Sequence, residues 1–285
     1  MKAARSTVSL LGRVALSLRN DGGEIGFSRG RRAELVFAYL AAEQHRVVTQ
    51  DELADALWPT GLPSTWQAGL RGVITEVRRF LAEGGLDSGA VLTTVRRGYR
   101  MQFPAAVTID LHEVRHDLRA ARALLESGAA PAAAEQATRV ERLTRLPFLA
   151  NHDCEWADRV RRELEQMNES ALELGIRAAV AAGDVEAAMT AAERLVQVAP
   201  FNEAAHQLRI RIFGVAGDRS GAFRAFERCR AVLAAELGVS PSDETYAALR
   251  ASVDQAHGCS STDWVAAVPA RRERLRCRRR RAAPH

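Results

Sequence analysis

Two dipeptides 34 residues apart, Gly183-Asp184 and Gly217-Asp218, constrain this chain more than any other feature. In the same register Ile176 matches Ile210 and Ala188 matches Ala222. Glu193-Arg194 likewise matches Glu227-Arg228, and Val198 matches Val232. The spacing predicts a helix–turn–helix unit used twice, since such a unit buries its apolar side only by stacking on a neighbour. Small side chains at Ala188 and Ala222 let paired helices approach, and Pro200 closes the first unit. Ahead of it, from Asp110, the chain is Ala-rich. Asp110–Ser127 and Pro131–Leu143 read as a less regular helical hairpin, and 156–175 as a helix leading into the first clear repeat. These set a helical domain over residues 105–256. Residues 257–285 hold Gly, Ser and Pro, then eight arginines between Arg271 and Arg281, and are expected to be a disordered basic tail.

The N-terminal part follows a different pattern. Val8 and Leu10, then Val14, Leu16 and Leu18, alternate on either side of Gly12. Asp21-Gly22-Gly23 turns the chain before Ile25 and Phe27, so a small antiparallel sheet is expected. A helix follows from Ser28 to Ala42 with Leu35, Val36, Tyr39 and Leu40 inward. Thr49 and Glu52 have capping-box spacing for a second helix that ends at Pro59 and Gly61, and Ser64 and Gln67 repeat that spacing for a third. In the third helix Leu70, Val73 or Ile74, Val77 and Leu81 recur at helical spacing and pack inward. Arg71, Thr75 and Arg78 fall on another face, flanked by Glu76 and Arg79. Val91–Val95 and Tyr99–Phe103 read as a hairpin turned by Arg96-Arg97-Gly98. An amphipathic helix that presents arginine outward fits the DNA major groove, and a basic hairpin beside it fits phosphates or the minor groove.

Charge is distributed to match. Residues 1–104 carry 14 basic and 10 acidic side chains, residues 105–258 carry 18 and 23, and residues 259–285 carry 8 and 2. A basic first part beside an acidic remainder points to a polyanion partner for the first alone. Cys154, Cys229, Cys259 and Cys277 show no CxxC pair, which suits a reducing cytoplasm better than a disulfide framework or a zinc site. No apolar run is long enough to span a bilayer, so no membrane partner is expected. No cofactor and no metal are expected.

Several motifs together carry a family resemblance: GRRAELVFAYLAAEQHRVVTQDELADALW, LRGVITEVRRFL, VRRGYR and AVLAAELGVSPSDETYAAL. Residues 7–104 resemble an OmpR-type winged-helix domain. Residues 110–250 resemble the bacterial transcriptional activation domain, a tetratricopeptide-like module. The pairing is similar to that of the Streptomyces antibiotic regulatory protein family. The implied fold is mainly α with a small β part, an N-terminal winged helix-turn-helix (1–104) followed by an all-α helical-repeat domain. The implied function is sequence-specific activation of a secondary-metabolite (antibiotic) gene cluster, by binding promoter direct repeats and recruiting RNA polymerase holoenzyme. A homodimer on DNA and a cytoplasmic, nucleoid-associated location belong to the same expectation. The resemblance makes the loop Pro59, Thr60, Gly61, Leu62 and Pro63 a candidate polymerase contact. The DNA-binding set is Trp66, Arg71, Thr75, Glu76, Arg78, Arg79, Arg96 and Arg97. Three residues depart from the family pattern: Glu76 replaces a commonly basic residue, Gly72 sits in mid-helix, and Trp66 stands where small residues are usual. The larger relatives' ATPase motif GxxxxGK[ST] is not found in the sequence.

Two other function classes compete. A repeat scaffold whose winged helix binds protein would share the same domains. His112-Glu113-Val114-Arg115-His116 spells HExxH, the helix of zinc peptidases, with Glu113 as the general base. It lacks a third histidine and a neighbouring sheet, so both histidines are expected to face solvent and the chain is not expected to be an enzyme.

Overall fold

The computed structural model describes residues 6–17 and 23–254. The proposed turn at Asp21-Gly22, Leu18 and the Arg-rich tail lie outside the described residues. The chain forms two compact units. One runs to Arg119 and resumes over Arg139–Asn168; the other takes Ala120–Thr138 and the chain from Glu169.

The first unit opens with the expected antiparallel strands β1 (Ser6–Ser9), β2 (Ala15–Ser17) and β3 (Glu24–Gly26). A strand not anticipated from sequence, β7 (Val107–Ile109), pairs parallel to β1 and completes the order β3-β2-β1-β7. The sheet therefore extends past residue 104. Helix α1 (Arg31–Ala42) starts three residues later than expected, because Gly30 turns the chain with φ 86. Strand β4 (Val48–Thr49) leads into α2 (Gln50–Leu57) through a complete Thr49–Glu52 capping box. The corresponding box at Ser64–Gln67 does not form. The chain reaches α3 (Trp66–Glu83) through a turn in which the Trp66 N–H donates to the Pro63 carbonyl. The N-cap is Thr65, without a side-chain bond. On α3 it is Ile74 that is buried, together with Leu70, Val77, Phe80 and Leu81. Val91 closes a single helical turn, α4 (Ser88–Val91), instead of opening the hairpin. The hairpin itself is β5 (Leu92–Val95) and β6 (Gly98–Met101), with β4 on the other side of β6.

Phe27, Phe37 and Phe80 form the aromatic centre of this core, with ring centroids 4.4–5.6 Å apart. Leu40, Leu53, Leu70, Ile74, Leu81, Leu92 and Met101 close around it, fully buried. Each such side chain contributes about 1.5–3 kcal/mol relative to exposure. This packing fixes the direction in which the opposite face of α3 points.

The helical hairpin is α5 (Asp110–Glu126) and α6 (Ala130–Thr144). The helix expected over 156–175 is longer: α7 (Glu155–Ala181) runs without a break into the first repeat. The second unit continues with α8 (Val185–Val198), α9 (Glu203–Val215), α10 (Arg219–Leu237) and α11 (Asp243–Asp254). The 34-residue register is physical. Gly183 and Gly217 have φ 77 and 71, and Asp184 and Asp218 cap α8 and α10 by accepting from the N–H three residues on. The N–H groups of Asp184 and Asp218 donate back to the carbonyls of Ala179 and Phe213. Ile176, Ile210, Ala188 and Ala222 are all completely buried. The molecule is thus mainly helical with a small β part, an N-terminal winged helix-turn-helix followed by a helical-repeat domain.

Candidate nucleic-acid interface

Helix α3 presents an exposed face because its other face is anchored in the Phe80 core. Arg71 and Thr75 are exposed there, while Glu76 and Arg78 are half-buried. The Thr75 hydroxyl donates to the Arg71 carbonyl at 3.0 Å, so its proton is committed inside the helix. Arg79 pairs with Glu76 at 2.6 Å, and Arg29 reaches both Glu76 and Glu83. The carboxylate that departs from the family pattern therefore lies between two guanidinium groups. Arg78 is engaged elsewhere: its Nη2 donates to the Leu92 carbonyl at 3.2 Å and to Thr94 Oγ1 at 3.0 Å, both on β5. Trp66 is half-buried at the first residue of α3. Gly72 has open space where a side chain would start, so nothing within the protein requires glycine there.

The hairpin is held at its root. Gly98 abuts β4 so closely that a Cβ would collide with the Val48 carbonyl, which only glycine avoids. Arg97 takes a left-handed conformation at φ 66, and its carbonyl accepts from the Gln50 N–H that begins α2. Arg96 and Arg97 stand exposed at the tip. Burial pushes the Tyr99 phenol up, against the pull of Arg78 and Arg71. Sequence reasoning missed Arg100, exposed on β6 opposite Thr93. Strand alternation could have found it, since Tyr99 and Met101 point inward. It also missed Trp58, which lies against Gly69 of α3 and under the Arg32 guanidinium at 5.4 Å. Among the described residues Arg71, Arg96, Arg97 and Arg100 form no ion pair. The loop Pro59–Pro63 is exposed throughout, with Leu62 at 51%.

The HExxH residues are placed differently from expectation. His112 does not face solvent. Its Nε2 donates to the Ala42 carbonyl at 2.8 Å, and its Nδ1 accepts from the Gln44 amide at 3.2 Å. Burial pushes its pKa down, favouring the neutral ring this pattern needs. With both nitrogens engaged, the ring has no lone pair to offer a metal. His116 is exposed near Asp117, and Glu113 lies 3.6 Å from Arg139.

Comparison with known proteins bears on the helical part first. The bacterial transcriptional activator domain matches residues 109–252. The chain belongs to this family. With a winged helix in front of it, the architecture is of the Streptomyces antibiotic regulatory protein type. Two regulators are similar over about a third of the chain. One is transcriptional regulatory protein MoaR1 of Mycobacterium bovis, 30% identical over 93 residues, covering 33% of this chain and 29% of that protein. The other is transcriptional regulatory protein EmbR of Mycobacterium tuberculosis, 30% identical over 100 residues, covering 35% of this chain and 25% of that protein. The matches thus span less than a third of these relatives' own lengths. The structure of Mycobacterium tuberculosis EmbR, solved in complex with a low affinity phosphopeptide, superposes with a TM-score of 0.81. It covers 92% of this chain and 69% of that one at 24% identity. This likeness shows that the bacterial transcriptional activator domain and winged helix share EmbR's fold.

Proposed function

We propose that the chain is a sequence-specific, DNA-binding transcriptional activator that lays α3 in the major groove and the β5–β6 tip against phosphates or the minor groove. The observation that carries this reading is the exposed, unpaired set of Arg71, Arg96, Arg97 and Arg100 around one helix and its neighbouring hairpin. Unpaired guanidinium groups retain their planar donors for guanine and phosphate. Arg71 is the favoured base reader, with the Thr75 methyl beside it, while Arg96 and Arg97 supply sequence-independent contacts. Glu76 orients Arg79 instead of touching a phosphate. Domain limits of 1–104 and 105–256, promoter direct repeats, a homodimer on DNA and a cytoplasmic, nucleoid-associated location belong to the same proposal. So do recruitment of RNA polymerase holoenzyme through Pro59–Pro63 and the helical module, and control of an antibiotic biosynthetic cluster.

The test is a binding selection on randomised duplexes with the full chain. Arg71→Ala should cost about 1–3 kcal/mol and relax the preference at one or two base pairs. Neutralising Arg96 and Arg97 together should weaken binding to all sequences alike and lower the salt slope by up to about two. Equal affinity of the wild-type chain for every duplex would defeat the proposal.

A further inference from the structure

Arg78 bonds the recognition helix to the hairpin, and its chemistry divides the labour among the arginines. Arg78 Nη2 carries two hydrogens. Two acceptors lie within bonding distance of it, the Leu92 carbonyl at 3.2 Å and Thr94 Oγ1 at 3.0 Å. A guanidinium grips a guanine edge or a phosphate bidentately through a pair of adjacent donors, either Nε with Nη2 or Nη1 with Nη2. Both pairs include Nη2, and here Nη2 is bonded to β5. Arg78 therefore lacks the fork that Arg71 keeps. Its half-buried position agrees, since a side chain drawn against the hairpin is drawn away from solvent.

Resting on the DNA-binding reading above, we infer that Arg78 is a positioning residue. It braces β5 against α3 and so sets where the Arg96-Arg97 tip stands relative to the groove-facing side of the helix. The anchor at the other side of the hairpin, the Gln50 N–H on the Arg97 carbonyl, fixes the tip to α2. On this side the Arg78 bonds tie the hairpin to α3 in addition to the core packing. A hairpin free to swing loses the pre-ordering of its phosphate contacts, which lowers affinity without altering what the helix reads.

The experiment compares full-length wild type, Arg78→Gln, Arg78→Lys, Thr94→Val, the double variant Arg78→Gln/Thr94→Val, and each with Arg96→Ala/Arg97→Ala. Valine is as strand-compatible as threonine, so Thr94→Val removes the acceptor and keeps the hairpin. Arg78→Gln and Thr94→Val should each weaken operator binding about three- to tenfold with base preference unchanged. The double variant should be no weaker than Arg78→Gln, because both break one interaction. Adding Arg96→Ala/Arg97→Ala to Arg78→Gln should cost less than in the wild type, and the salt slope of Arg78→Gln should already be shallower. Arg78→Lys, which can still donate to one acceptor, should recover part of the loss. In the free protein, hairpin amides should exchange faster in Arg78→Gln and Thr94→Val than in wild type. The brace is overturned if Arg78→Gln relaxes the preference at defined base pairs while Thr94→Val binds as wild type. Unchanged hairpin exchange also overturns it. If the wild-type chain shows no sequence preference, the DNA-binding reading fails, and the exchange rates still decide the brace.

Discussion

The first unit is tied by bonds that reach across about a hundred residues, whereas the repeat unit combines short devices used twice with bonds about forty residues long, such as Glu203 with Ser242 and Thr245. In the first, the Asp110 carboxylate accepts from the backbone N–H groups of Leu10 and Leu11, about a hundred residues away, as well as from Leu111. Glu34 meets His152 at 3.0 Å across 118 residues, and Tyr39 stacks on Trp156 with centroids 4.2 Å apart. In the second unit the recurring devices are a left-handed glycine, an aspartate cap three residues from its donor, and a buried alanine. The difference teaches that a stack can propagate a local rule, whereas the first unit is closed by particular distant partners.

The sharpest way to break this comparison is to remove one partner of each kind. Asp110→Ala leaves three buried N–H groups unpaired and should destabilise the first unit by about 2–4 kcal/mol. The buried thiols provide separate readouts, since Cys154 lies in the first unit and Cys229 in the second. Pulse alkylation followed by peptide mass spectrometry should show Cys154 labelled far faster, and Cys229 much less affected. Equal acceleration at both thiols would mean that the two parts do not differ in the way described.

The two units should also respond to acid in opposite directions. Burial raises Asp110 to about 6, against the pull of its N–H donors. A raised value means the folded state holds the proton longer. That stabilising contribution is full below the ordinary 3.8 and is lost as pH rises through about 6, an effect of up to about 3 kcal/mol at 1.36 kcal/mol per unit. Glu203 behaves the other way. Burial pulls it up, but the Thr245 hydroxyl and the Ser242 amide and hydroxyl outweigh that and hold it below 4.5. Its contribution is present above 4.5 and is lost as pH falls through the lowered value. Between pH 7 and 5, Cys154 protection should rise relative to Cys229, corrected for each thiol's intrinsic reactivity. A parallel change at both would contradict the assignment.

The smallest effect sharpens the repeat side. Asp184→Ala removes a helix cap and should cost about 1 kcal/mol, seen as faster labelling of Cys229 with little change at Cys154. Asp218→Ala, at the corresponding place, should move the same thiol in the same direction. A response from only one of the two would show that the repeats are not energetically equivalent.

How much was legible follows the same line. The Thr49–Glu52 box, the buried side of α3, the Arg96-Arg97 tip and the 34-residue register all depend on neighbours within a few residues or on a strict period, and each is found. The same spacing rule failed at Ser64–Gln67, where the chain's turn at Pro63 put Thr65 at the cap. Strand β7 is three residues long and has no pattern of its own; it exists because β1 offers an edge. His112 reads as a ligand by spacing, yet becomes a half-buried, doubly bonded ring because α1 ends beside it.

The sequence by itself determined the helical repeat, the order of sheet, helices and hairpin, and the arginine-bearing face. Periodicity and capping act over a few residues, and charge is written directly in composition. Arg79 pairs with Glu76 three positions away, a spacing already visible in the sequence. Only the tertiary structure decided that Arg78 is engaged by β5 while Arg71, Arg96, Arg97 and Arg100 are not. A hydrogen bond between residues 14 or 16 positions apart depends on where packing brings two elements, and no local pattern encodes that distance.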